Sequence, residues 1–359
     1  MKAKHITLIA LAAAALTANA QTTQRLTASK LNEFGLIYAL PVTVLDVTVE
    51  AKRTVKTPGE FFRYAKKYLG IDPITEPSET WNVESVTVTP RGVADEEERY
   101  LVQLKGGATP FMLLDENDFP LTINSDDYTA PSAPQLPVSQ KAEPTILQTP
   151  AAQQAVTEEM LRSTSSAKRA ELAAAKIYEL RQSRNDIISG NADQMPADGA
   201  AMKLALDNIE RQEAALTAMF AGTEQVSTAV RTYSVKPTGE ESERVVAGRV
   251  SVTEGPVDAD NLSGVPVYID IEVTERGTLP RNEKGEEKKF PKGGLAYRIP
   301  GSAAVKATVG GETMFRGNID VAQYGIVFGL DPSLFTDKKA PAYVIFDAAT
   351  GAIRELGTK

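Results

Sequence analysis

Residues 265–273 read Val-Pro-Val-Tyr-Ile-Asp-Ile-Glu-Val, and branched apolar side chains occupy every second position. A period of two is typical of a β-strand with one buried face. Comparable runs, separated by Gly-rich or Asp-rich turns, lie at 245–252, 303–309, 313–319, 324–330 and 343–346. They predict an all-β C-terminal domain over residues 226–359, built as a sandwich or a barrel.

The N-terminal region, residues 21–125, predicts a second β-rich domain with one short helix. Val42–Val55 alternates in the same way and indicates a strand. Thr57 as a cap, with Pro58 first in the helix and Glu60 completing a capping box, indicates that a helix follows. Gly70 is a natural end for that helix.

Two acidic stretches of the same region predict hairpin turns. Asp95–Glu98 separates the strand candidates 83–88 and 99–104, and Asp115–Asp118 separates 111–114 from 119–123. Short polar stretches between apolar runs favour turns.

The middle of the chain predicts a Pro-rich linker over residues 126–150 and an antiparallel helical hairpin over residues 151–222. The first helix runs from Thr157 to Ser189, and Asp198 can cap a second helix that Gly222 ends. Since the first helix is the longer one, its excess must pack on a β domain, on a second copy or on another protein, and the surplus face near Ile177 and Leu180 is expected to be the docking surface. No internal repeat is evident. The predicted fold class is α+β, with two mostly antiparallel β domains and the helical hairpin between them.

Residues 1–20 have the pattern of a signal peptide cleaved after Ala20. Lys2 and Lys4 precede an apolar run from Ile6 to Ala18, which is short for a membrane span. No later segment is long and apolar enough to cross a bilayer. The mature protein is therefore expected to be exported, and either soluble or held at a membrane by partners.

The composition of the chain disfavours several classes of active site and of partner. The chain has no cysteine and one histidine, His5, which lies in the expected leader. Most nucleophile–base pairs and zinc sites need one of these side chains. The net charge is −8, and about −10 without the two leader lysines, which disfavours nucleic acid as a partner. The composition therefore favours a non-enzyme, although it leaves the question open.

Three patterns were weighed as sites, and none is assigned. Ser165-x-x-Lys168 has the spacing of a penicillin-binding nucleophile, but its partner motifs are missing. Asp115, Asn117 and Asp118 are rich in oxygen but lack the full calcium-loop pattern. No Gly pair ends in the Gly-Lys-Ser/Thr of a phosphate loop. The sequence thus predicts no catalytic, cofactor-binding or metal-binding residue and no cofactor.

Five strings resemble a known family: Phe34–Pro41, Tyr64–Ile71, Tyr297–Pro300, Ala322–Gly325 and Phe346–Gly351. Together they are similar to the exported Bacteroidetes family catalogued as domain of unknown function 4831. The resemblance implies a Gram-negative envelope setting, and therefore a place in the periplasm or in association with the outer membrane. It implies no activity, substrate or catalytic residue.

Three functions remain open at this point. The first is a non-catalytic envelope protein that acts as a scaffold or by contact, through its helical hairpin. The second is a glycan- or peptide-binding β module, with Tyr268, Tyr297 or Tyr324 as a platform. Trp81, the single tryptophan, is another possible sugar platform, although a place at the domain core or rim is favoured. The third is a carboxylate-based glycan hydrolase.

Overall fold

The structure is a computed structural model, and it describes residues 22–25, 35–103, 111–130, 135–196, 199–335 and 341–358. The expected leader, residues 1–20, and the expected cap Asp198 lie outside these residues. The strands are β1 (Thr22–Arg25), β2 (Leu36–Thr57), β3 (Ser78–Gln103), β4 (Met112–Leu114), β5 (Pro120–Ile123), β6 (Thr223–Val235), β7 (Ser242–Ser251), β8 (Gly255–Val257), β9 (Gly264–Glu275), β10 (Leu295–Val309), β11 (Glu312–Leu330), β12 (Ala342–Phe346) and β13 (Ile353–Thr358). The α-helices are α1 (Ala65–Leu69), α2 (Pro150–Ala155), α3 (Glu158–Arg162), α4 (Ser166–Ser189) and α5 (Ala200–Ala221). This mixture of helices and antiparallel sheets confirms the α+β class.

The strands form three antiparallel sheets. Sheet I has the order β1-β3-β2-β6, sheet II β11-β10-β9-β7-β8, and sheet III β13-β12-β5-β4. Sheets I and III each join strands from both regions that the sequence analysis treats as separate β domains. Leu45 on β2 pairs with Val235 on β6, and Ile123 on β5 pairs with Val344 on β12.

Sheets I and II pack face to face around one apolar core. The inward residues of β2 (Leu45, Val47, Val49 and Ala51) share this core with Val267, Ile269 and Ile271 of β9 and with Ala303, Val305 and Ala307 of β10. Alternation in each strand supplies one apolar face, so burial of both faces against each other stabilises the pair. The alternation at 265–273 therefore predicted β9 correctly.

The helices form a layer of their own beyond the end of β2. Phe61, Ala65, Ile177, Leu216 and Phe220 are buried together in this layer. The predicted helix over 157–189 is wrong, because the extended residues 163–165 divide it into α3 and α4. Hydroxyl side chains compete with helical hydrogen bonds, and Ser165 serves as the cap of α4. At about 36 and 33 Å, α4 and α5 are nearly equal in length, so the expected surplus does not exist.

Two boundaries in the N-terminal region also differ from expectation. The predicted helix start at Thr57 is wrong, since β2 continues through Thr57 to pair with Thr223, and α1 begins at Ala65. Its predicted end at Gly70 is correct, with φ of +69°. Asp95–Glu98 is no turn between strands: it lies inside β3 as a four-residue bulge opposite the single residue Leu40. The predicted turn at Asp115–Asp118 does join β4 to β5.

The structure reveals an internal repeat that the sequence analysis missed. Leu36-x-Tyr38-x-x-Pro41 opens β2, and Leu295-x-Tyr297-x-x-Pro300 opens β10. Tyr38 lies opposite Tyr100 with ring centroids 5.7 Å apart, and Tyr297 lies opposite Phe328 at 6.3 Å. Four residues bulge from the partner strand in both copies, 95–98 in β3 and 322–325 in β11.

A hairpin completes each copy of the repeat. Asp115 in the β4–β5 turn and Asp347 in the β12–β13 turn each accept two backbone N–H groups of their own turn. The residue after each repeat tyrosine then donates its N–H to its hairpin turn: Ala39 to Asp118 O at 3.0 Å, and Arg298 to Gly351 O at 3.1 Å. Each hairpin is thus fastened to the first strand of its own copy.

Candidate functional site

A groove opens where sheet I extends beyond sheet II, at the mouth of the sandwich. Its floor crosses three strands in register, since Arg53 on β2 lies opposite Trp81 on β3 and Ser227 on β6. Thr253, in the turn between β7 and β8, forms one wall. The groove is a shallow depression that is largely open to solvent, with a volume of about 460 Å³, and we call it the mouth groove.

The other wall is a segment that lies along the edge of β6. Gln140 and Thr228 exchange both backbone hydrogen bonds, at 3.0 and 2.9 Å. Ser139 Oγ accepts the N–H of Val230 at 2.9 Å, and Gln225 Nε2 donates to Glu143 O at 2.8 Å. Part of the predicted linker is therefore paired with a strand edge, and it brings Gln140 and Lys141 to the groove.

An ion pair on the floor presents both a donor and an acceptor. Arg53 Nε donates to Glu79 Oε1 at 2.7 Å. The hydrogen bond from Arg53 lowers the pKa of the exposed Glu79 carboxyl, and the same bond raises the pKa of Arg53. Both groups are therefore charged over the physiological pH range, and both retain hydrogen-bonding capacity for a ligand.

Trp81 is held in place at the rim of the sandwich core. The guanidinium carbon of Arg53 lies 6.0 Å from its ring centroid. A Cβ on Gly255 would come within 2.8 Å of the indole ring, so only glycine allows this approach. The indole Nε1 is buried and makes no hydrogen bond of full geometry within the described part of the chain, although it contributes as a weak donor to the lowered pKa of the Glu79 carboxyl. The ring position is thus set by its neighbours before any ligand arrives.

Four of the family-like strings meet at a second place, where the two copies of the repeat join. These strings are Phe34–Pro41, Tyr297–Pro300, Ala322–Gly325 and Phe346–Gly351, and Thr43 lies beside them. Thr43 Oγ1 donates to Ala349 O at 3.0 Å and accepts the N–H of Ala322 at 2.9 Å. Gln323 bonds the backbone of Thr43 through both its amide oxygen and its amide nitrogen. These hydrogen bonds pair the polar groups of the junction with one another and leave none of those named for a ligand, so we assign the junction a structural role.

The other residues weighed in the sequence have structural roles. Ser165 Oγ accepts the backbone N–H of Lys168, and Lys168 Nζ bonds Glu171, so the Ser-x-x-Lys match is a helix cap. Asp115 closes its turn, and no group of three or more His, Cys, Asp or Glu residues among those described is arranged to hold a metal.

The tyrosine platforms and the expected docking face are also accounted for. Tyr324 is buried, Tyr297 packs against Phe328, and the Arg244 guanidinium covers the Tyr268 ring at 4.5 Å. Ile177 and Leu180 are buried among the helices, so the expectation that they form a docking surface is wrong. They face the inside because α1 and α5 both pack on that side of α4.

The groove itself was missed, although the sequence holds a signal for it. Val47, Val49, Ala51 and Arg53 follow one another on the inward face of β2, and Arg53 is the first charge in that series. An inward charge at the end of an apolar face marks the point where the core gives way to solvent.

Comparison with known proteins gives one match. Neither a curated protein nor a solved structure matches the chain. Within the described residues, no helix is both long and apolar enough to cross a membrane. The model of the family described as "Domain of unknown function (DUF4831)" matches residues 34–354, nearly the whole chain, and the protein therefore belongs to that family.

Proposed function

We propose that this chain is an exported, non-catalytic protein that acts by contact with another protein of the cell envelope. The contact surface is the outer end of the helix pair α4–α5, defined by Ile188, Met195 and Leu204. Residues 1–20 support export by their signal-like pattern, and the lack of cysteine and of any histidine after His5 supports a role without nucleophilic catalysis.

The uneven burial of the helix pair carries this proposal. At the inner end, Ile177, Leu180 and Leu216 are buried against neighbouring elements. At the outer end, Ile188 and Leu204 are each 67% exposed. Ile188 lies in the last turn of α4 and Leu204 in the first two turns of α5, so both belong to the same end of the helix pair, and exposed apolar surface is typical of sites that bind other proteins.

The charge at the outer end indicates the chemistry of the partner. Acidic side chains outnumber basic ones there: Asp186, Asp193, Asp207 and Glu210 stand against Lys203 and Arg211. A second copy would bring like charges together, which costs free energy. We therefore propose a different protein with an apolar centre and a basic rim.

Single cysteine variants test this surface, because the chain contains no cysteine of its own. Leu204→Cys and Ile188→Cys would be labelled with a photo-crosslinker in intact cells. Val252→Cys is the matched control, since Val252 is similarly exposed at 63% but lies away from the helices, in the turn between β7 and β8. We expect one discrete heterologous adduct from both helix positions and not from Val252. Identical adducts from all three positions, a crosslinked homodimer, or no adduct at all would contradict the proposal.

A further inference from the structure

We propose that the mouth groove binds a short, neutral oligosaccharide, with Arg53, Glu79, Trp81, Gln140, Ser227 and Thr253 as the binding residues. This inference is independent of the helix-pair contact. The groove volume of about 460 Å³ lies within the range of small-molecule sites.

The Arg53–Glu79 pair matches the chemistry of vicinal hydroxyls. Neighbouring sugar hydroxyls each donate and accept hydrogen bonds. The guanidinium of Arg53 can donate to a sugar hydroxyl, and the carboxylate of Glu79 can accept from the neighbouring one. Since the two charges lie 2.7 Å apart and offset each other, the pair itself favours hydrogen-bonding ligands over strongly anionic ones, and the exposed Lys141 adds one positive charge at the wall.

The remaining lining completes a surface for a molecule with polar edges and apolar faces. The hydroxyls of Ser227 and Thr253 and the amide of Gln140 add hydrogen-bonding groups around the ion pair. Trp81 and Ala229 supply the apolar part of the lining, and the part of the indole that the Arg53 guanidinium, 6.0 Å from the ring centroid, leaves uncovered can meet the C–H face of a sugar ring. The backbone at Gly255 packs closely against the indole ring, so the Trp81 side chain loses little conformational freedom when a ligand binds.

A peptide is the weaker fit at this groove. Peptides commonly bind by adding a strand to a free sheet edge. The edge of β6 beside the groove is already occupied, since Gln140 exchanges both backbone hydrogen bonds with Thr228. Side-chain groups remain for the ligand, and these suit hydroxyls.

Trp81 offers a direct readout, because it is the only tryptophan of the chain. The full-length protein would be titrated with cellotriose, maltotriose, xylotriose and chitotriose, and separately with a neutral Ala/Ser hexapeptide. Emission and the single indole N–H signal in NMR would be followed. We expect a saturable change with at least one trisaccharide below about 10 mM, and none with the peptide.

Matched variants assign the binding to the groove. Arg53→Met and Glu79→Gln each keep Trp81 and should weaken sugar binding about tenfold or more, with circular dichroism checking the fold. Arg244→Met is the control, because Arg244 is also paired with an acid, Asp270 at 2.9 Å, and lies over the Tyr268 ring away from the groove. The control should bind as the parent does. No saturable change with any trisaccharide, equal binding by Arg53→Met, or a response to the peptide alone would overturn the proposal.

Discussion

Arg298 Nη2 lies 2.6 Å from Asp95 Oδ2, and the two side chains are only 8% and 19% exposed. Asp95 belongs to the bulge of the first repeat copy, and Arg298 follows the tyrosine of the second. This buried ion pair therefore joins the two copies. Arg298 Nε has no partner among the described residues, so Asp95 is the main compensation for the buried guanidinium.

Removal of Asp95 should destabilise the protein strongly. Asp95→Ala leaves a buried positive charge without its partner, and we expect the free energy of unfolding to fall by about 3–5 kcal/mol. Denaturant-induced unfolding measures this change. Glu241→Ala is the control, because the Glu241–Arg276 pair is well exposed and should be worth less than about 1 kcal/mol. Equal, small losses in both variants would show that the buried pair has no special weight.

The hydroxyl of Thr43 should matter more than its methyl group. Thr43→Val removes the donor to Ala349 O and the acceptor for the Ala322 N–H, and leaves buried backbone groups unpaired. We expect a loss of about 1–3 kcal/mol in the free energy of unfolding. Thr43→Ser keeps the hydroxyl and should be milder. Faster hydrogen exchange at the Ala322 amide in the valine variant alone would locate the effect, and equal behaviour of both variants would contradict it.

Gly255 should tolerate a side chain poorly because of its contact with Trp81. Gly255→Ala suffers both a left-handed φ of +75° and a clash with the indole ring at 2.8 Å. Gly285→Ala is the control, since Gly285 has a φ of +81° but open space around it. We expect the Gly285 variant to lose about 1 kcal/mol and the Gly255 variant to lose clearly more, with a shift in Trp81 emission. Matching losses with unchanged emission would contradict a tight contact between Gly255 and the Trp81 ring.

Asp46 should make stability fall in acid. Although burial raises its pKa, hydrogen bonds from Arg91 and Ser234 and the charge of Arg91 outweigh burial, and the pKa lies below its ordinary value of 3.8. A lowered folded-state pKa contributes stability above the unfolded pKa, and this stability is lost as the pH falls through the folded one. The parent should therefore exceed Asp46→Asn in unfolding free energy at pH 7, and the gap should narrow below about pH 4. A gap that stays constant between pH 7 and pH 2 would contradict this assignment.

Local features of the sequence predicted local structure well. Alternation at 265–273 gave β9, Gly70 gave the end of α1, and Asp115 gave a turn, because each pattern depends on neighbours in the chain. Strand partners could not be obtained in this way. Alternation reports that one face of β2 is buried, but it does not say that β6 completes the sheet.

The candidate site was less predictable than the fold. In the sequence Trp81 stood out only as the single tryptophan, and Arg53 was not singled out. Their meeting depends on the register of β2 with β3, and the contribution of Ser227 depends on a strand about 170 residues away. The repeat was hidden because its copies share only leucine, tyrosine and proline at matching places, while their bulges and turns match in geometry.

The pairing of β5 with β12 also governs how this chain can fold. Ile123 finds its partner Val344 only after most of the chain has been made, and β2 must wait for β6. Such distant contacts require large loops to close before they are stabilised, which slows folding. Until then the partner edges of β2 and β5 are open to pairing with other chains. Holding the chain unfolded until synthesis is complete would protect both edges, and a truncation before β12 should yield an aggregation-prone product rather than an independently folded N-terminal half.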